Sequence, residues 1–207
     1  MLSMYERVCK ALLLSNADTL PIDMSKLKIE GLRWIVLTKS RAKKEGVIDG
    51  SFLVDYAEKH CAFVLRFDDG EYCIIIDGGI SMTNRNFLIA HELGHIICEH
   101  LGFDKVLGIS TDYITESFQE READICALLL LAPPCVLDDY GISEYEDIMK
   151  FTGVSEDHAK QIAGELQRYR RTKKTATEKA LCKKFRAKKK CKGKGAHLPD
   201  ANDCESD

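Results

Sequence analysis

The sequence predicts an α+β fold in which a small antiparallel sheet packs on a mainly helical body. Three observations carry that expectation. Apolar residues recur at the helical period over several stretches, and two short β-rich runs flank Asp68-Asp69-Gly70, a turn sequence that favours a hairpin. A chain of 207 residues with 45% hydrophobic and 30% charged side chains also holds enough apolar matter for one core of ordinary size. That composition excludes a chain disordered throughout.

From the start of the chain, Val8, Ala11, Leu12 and Leu14 place a helix over residues 4–15. After a break at Pro21, Ile22, Met24 and Leu27 begin a second short helix, and residues 34–37 form a strand. Residues 41–50 are polar and read as a loop. Residues 61–67 and 72–76 are the arms of the hairpin, and Asp77-Gly78-Gly79 ends the second arm. As an edge strand, 72–76 could hold an extended peptide by strand addition; otherwise it is simply one member of the sheet.

The period changes at Asn86, where Phe87, Leu88, Leu93, Ile96 and Ile97 mark a largely buried helix. Another helix begins near residues 115–117 and runs to Leu131, stopped by Pro133-Pro134. Two shorter helices follow over 144–151 and 155–169, the second capped by Ser155 with acids in its first turn. With Gly153 between them, this pair has the outline of a helix-turn-helix.

The net charge of −3 hides a partition. Residues 168–194 carry fourteen Lys and Arg against the single acid Glu178, a local +13, whereas residues 1–167 hold 16 bases and 28 acids, a local −12. The chain therefore divides into a body, 1–171, and a basic tail, 172–207, which its composition makes a solvated, disordered segment. A weak nucleic-acid contact through the 168–194 stretch is the alternative role for that charge. Cys182, Cys191 and His197 match no zinc ribbon or finger spacing, so the tail is not expected to bind metal.

The longest apolar stretch, 125–137, is broken by two prolines and falls short of the roughly 20 residues that span a bilayer. The patch at 11–14 is too short for a secretory signal core. Nine cysteines, an odd number with no C-x-x-C pair, suit a reducing compartment better than a disulfide framework. A soluble, cytoplasmic protein without a membrane partner is expected.

One segment constrains the chemistry sharply. In His91-Glu92-Leu93-Gly94-His95, residues four apart share a helix face, so the two imidazoles project into one space and can chelate Zn²⁺. Glu92 leaves the helix about 100° from His91. It stands beside the metal, where it can take a proton from the attacking water. In a chain of this composition the pattern arises by chance at about 1%, and three unpartnered polar groups on an apolar helix would each cost on the order of 1–3 kcal/mol.

A catalytic zinc needs a third protein ligand. Cys98 shares the histidine face but reads as core packing, and His100, about 140° from His95, reads as a surface or C-terminal residue. The next long helix offers Glu120-Arg121-Glu122-Ala123-Asp124. Glu120 and Asp124 lie one turn apart, so one carboxylate could bind the metal while Asp124 accepts an imidazole N–H and fixes its tautomer. Ala123 is small enough to let two helices approach. Glu122 is the competing ligand, and Ser117-Phe118-Gln119-Glu120 also spells a capping box that would occupy Glu120 instead.

The run from Phe87 to His95, followed by Glu120-x-x-Ala123-Asp124-x-x-Ala127 and Leu130-Leu131-Ala132-Pro133, resembles the ImmA/IrrE family of metallopeptidases. The likeness extends weakly to Leu20-Pro21-Ile22 and Gly153-Val154-Ser155, covering roughly residues 5–170 and leaving out the tail. Cys126 departs from it, standing where the family commonly has an aromatic. The resemblance implies a zincin-like body with zinc on His91, His95 and Glu120, and Glu92 as base. It also implies an endopeptidase that cleaves a helix-turn-helix repressor of a mobile element or stress regulon. Tyr113, Tyr140 and His158 are the sequence's candidates for stabilising the oxyanion. The rival reading is a zinc-stabilised regulator or binding module that does not cleave.

Overall fold

The computed structural model describes residues 3–100 and 113–192. The chain begins with α1 (Met4–Leu13), capped by Ser3, whose hydroxyl accepts from Glu6 N. A 3₁₀ turn at Met24–Lys26 follows, in place of the expected second helix. Asn86 ties this segment down: its Oδ1 accepts from Met24 N at 2.7 Å and its Nδ2 donates to Ile22 O at 2.9 Å.

The sheet has three strands, β1 (Trp34–Thr38), β2 (Ala62–Arg66) and β3 (Tyr72–Ile76), in the order β1-β3-β2. The hairpin of β2 and β3 is antiparallel, with Val64 opposite Ile74 and Gly70 at φ +81° in its turn. β1, however, joins β3 in parallel, so the sheet is mixed rather than purely antiparallel. A further correction concerns 72–76, which is the central strand, not an edge. Its unbroken Cys73-Ile74-Ile75-Ile76 run is what a strand covered on both faces requires. Ile74 and Ile76 face the main helical core; Cys73 and Ile75 face a smaller cluster with Ala42, Ile48 and Ala57.

That second cluster comes from α2 (Lys39–Lys44) and α3 (Gly50–Lys59), two helices where the sequence reading had a polar loop over 41–50 and nothing after it. Each buries only a narrow apolar strip, too little to show as a long helical period. On the other face lie α4 (Met82–Ile97) and α5 (Tyr113–Leu131), packed closely along each other. Then come α6 (Pro134–Asp139), entered through two prolines, α7 (Tyr145–Thr152) and α8 (Glu156–Tyr169), with Gly153 in the left-handed region between the last two. Among the described residues no helix is long and apolar enough to cross a membrane.

The basic stretch yields another correction. Residues 176–192 form α9 (Ala176–Lys192), packed on α1 and α6, where a disordered tail was expected. Leu181 and Phe185, one turn apart, are fully buried and Cys182 nearly so. Thr175 and Glu178 make a reciprocal capping box at its start. Several bases that look like free charge are used to dock the helix. Lys184 Nζ donates to Leu12 O and Leu13 O at 2.8 and 3.1 Å and to Ser15 O, closing the end of α1. Arg186 pairs with the buried Asp139, while Arg170 and Lys174 both reach Asp138. Residues 193–207, with His197, lie outside the described residues.

Phe185→Ala is expected to cost about 3–5 kcal/mol in urea unfolding. Truncation of the exposed Lys183 should stay within about 0.5 kcal/mol. A loose tail would be as indifferent to the first change as to the second.

Candidate metal centre

Two helices build the site, and their closeness is set by small residues. A Cβ added at Gly94 of α4 would lie 2.9 Å from Ala123 O and 3.1 Å from Cys126 Cβ on α5, so only glycine fits there. Gly94 precedes His95, and Ala123 lies between Glu120 and Asp124. The contact therefore brings the two sets of polar side chains together.

His91 Nε2 lies 3.1 Å from His95 Nε2 and 3.1 Å from Glu120 Oε2; His95 Nε2 lies 3.4 Å from Glu120 Oε1. These separations match the edges of a tetrahedron, about 3.3 Å for ligands about 2.0–2.1 Å from a central zinc. Among the described residues they form the one group of His, Cys, Asp and Glu whose ligand atoms all lie within 4.8 Å of each other. Asp124 Oδ1 lies 2.9 Å from His91 Nδ1, where it accepts the ring N–H. With the His91 proton on Nδ1, its Nε2 is free to join His95 Nε2, 3.1 Å away, as a second donor to a bound cation. The donor set fits a divalent metal.

Without an ion, the charges of the site are set by the same contacts. Burial and the neighbouring His91 and His100 rings hold His95 below its ordinary value, although Glu120 opposes them, so it is a neutral donor. For His91 burial works downward, but the bonds to Asp124 and Glu120 and the charge of Glu92 prevail and raise it to about 10. Hydrogen bonds from both histidines hold Glu120 below the carboxylate range. Glu92 is only 6% exposed. Burial and the charge of Glu120 push it up to about 8, although His91 works the other way.

Glu92, both histidines, Glu120 and Asp124 line one cavity of about 480 Å³, whose far wall is Tyr56, Lys59, His60 and the first residues of β2. His60 stacks on Tyr56 with ring centroids 3.8 Å apart, its Nδ1 2.9 Å from Tyr56 O. Nothing in the sequence singled out this histidine, which reaches the cavity only because α3 was itself unseen.

The structure separates the remaining candidates. Ser117 stands inside α5, four residues past its start rather than at an N-cap position, and the Glu120 carboxylate meets the histidines. Glu122 points away from the three-residue group and lies 3.0 Å from His100 Nε2. Cys98 is the C-cap of α4 and packs against the core rather than joining the group. His100 is not the surface residue expected. After Cys98 the chain turns at Glu99, φ +62°, with Glu99 N donating to Ile96 O and His100 N to His95 O. This Schellman turn folds the His100 ring back, 95% buried, with Nδ1 3.0 Å from His95 Nδ1. Of the oxyanion candidates, Tyr140 donates to Phe185 O, far from the cavity lining, and His158 stacks on Phe87 at 4.0 Å. The Tyr113 side chain lies outside the described residues.

Residues 59–162, half of the chain, match the family model of the IrrE N-terminal-like domain, peptidase family M78. The chain belongs to that family. The match takes in α4, α5 and the whole three-residue group, and supports a function of the metallopeptidase type. No curated protein and no solved structure matches the chain significantly.

Gly94→Ala should force α4 and α5 apart. A stability loss of about 1–3 kcal/mol is expected in thermal or urea unfolding, together with weaker metal uptake measured by equilibrium dialysis.

Proposed function

We propose that the protein is a zinc-dependent endopeptidase that hydrolyses a peptide bond in a regulatory protein. The observation that carries this reading is the placement of Glu92, a buried carboxylate that shares a cavity with a three-donor metal group without belonging to it. A purely structural zinc site normally fills all four positions with protein ligands and has no use for a base.

His91, His95 and Glu120 would hold the ion, and Asp124 keeps His91 in the tautomer that presents Nε2. An ion held there would supply Lewis-acid chemistry, polarising a scissile carbonyl and lowering the pKa of water from 15.7 toward roughly 7. Glu92 takes a proton from the attacking water and returns it to the leaving amine, a role suited to a carboxyl raised toward neutrality. β2 is an edge of the sheet, and its Ala62 and Phe63 line the cavity, so an extended peptide could pair with its backbone. The strand-addition role expected of 72–76 thus passes to its neighbour.

The substrate proposed is a helix-turn-helix repressor of a mobile element or stress regulon, in line with the family resemblance. Exposed bases on α9 such as Lys179 and Lys183 would draw the enzyme weakly to the DNA on which such a repressor sits.

Glu92→Gln is expected to keep one zinc per chain, by elemental analysis, and to cut the rate of cleavage of the repressor encoded beside it by about 10²–10⁴-fold. Cleavage at the wild-type rate by this variant would overturn the reading. Chelation should abolish the wild-type activity and added zinc restore it.

A further inference from the structure

The peptidase reading leaves His100 and Glu122 without a task, yet both are tied to the centre. We propose that they form a positioning relay that fixes the ring of His95 for metal binding, an inference that rests on the metal-site reading above. The direction of each hydrogen bond follows from chemistry. His95 Nε2 faces His91 and Glu120, and a ring nitrogen that binds metal carries no proton. The His95 proton is then on Nδ1, which donates across 3.0 Å to His100 Nδ1. His100, accepting there, carries its own proton on Nε2 and donates across 3.0 Å to Glu122 Oε2. One set of tautomers satisfies every member.

The two ligand histidines are thereby oriented differently. His91, nearer the surface, reaches its carboxylate directly at Asp124. His95 is deeper, 3% exposed, and a carboxylate placed beside it would be a second buried carboxyl next to Glu92. The His100 ring moves that charge one imidazole outward, to Glu122, whose side chain is 33% exposed. The turn at Glu99 makes this possible, because His100 is held to His95 through its backbone N–H as well as its ring. Glu122 belongs to α5, so the relay crosses between the helices that hold the ligands.

The test uses the full chain with His100→Leu, His100→Asn and Glu122→Gln. Zinc affinity is read by chelator competition, ligand geometry by the visible spectrum of the cobalt-substituted protein, and fold by urea unfolding of the metal-free protein. His100→Leu is expected to weaken zinc binding by about 10–100-fold and to shift the cobalt bands. His100→Asn, which keeps an acceptor near the Nδ1 position, should recover much of both. Glu122→Gln, a partly exposed site that should fold even if His100→Leu does not, should weaken zinc by about tenfold. Unchanged zinc affinity and an unchanged cobalt spectrum in Glu122→Gln would overturn the relay. So would a His100→Leu protein that loses only metal-free stability. His91→Ala separates the two levels. Wild-type zinc binding in that variant would defeat the metal-site reading itself, whereas its loss of zinc beside unaffected relay variants defeats the relay alone.

Discussion

The site depends on how closely α4 and α5 can run. At their crossing the bare backbone of Gly94 rests against the carbonyl of Ala123, with no room for a methyl group. Histidine and glutamate side chains are short, and their ligand atoms meet within 3.1–3.4 Å only because the two backbones are this near. One methyl group's width of separation would pull Glu120 away from both imidazoles. The chemistry of the centre is therefore set by two residues that take no part in it.

Packing at this distance brings polar groups into an apolar interior, and the surrounding partners make that tolerable. Every ring nitrogen of the two histidines has a defined neighbour: Asp124 or His100 on the outer side, the shared ligand position on the inner side. Buried polar groups satisfied in this way are held in one geometry. Glu92 is the exception in kind. Its burial destabilises the charged form and keeps it ready to exchange a proton, which a fully solvated glutamate would do poorly near neutral pH.

Much of this was legible in the sequence. The i, i+4 spacing of His91 and His95 and of Glu120 and Asp124 states which side chains share a face, and the small residue at 123 hints at a close crossing, whereas the part of Gly94 shows only in the structure. What escaped was information that is not periodic. His100 was placed by continuing the helix past Ile97, whereas the left-handed residue Glu99 turns the chain back. The central position of β3 was written in its unbroken apolar run, which the hairpin signal overshadowed. α2 and α3 bury too few residues to show a period, and α9 buries Leu181, Cys182 and Phe185 inside a run of lysines that dominates the composition.

The stretch that matches the family model ends at residue 162, but the apolar interior does not. Leu12 and Met24 before that window, and Leu166, Tyr169, Leu181 and Phe185 after it, all lie within one continuous cluster. Lys184 even closes the last turn of α1 from the opposite end of the sequence. A boundary drawn by likeness is thus not a boundary of cooperativity: nicking the connection near 172–175 would loosen α1 and α9 at once, because each serves as the other's lid.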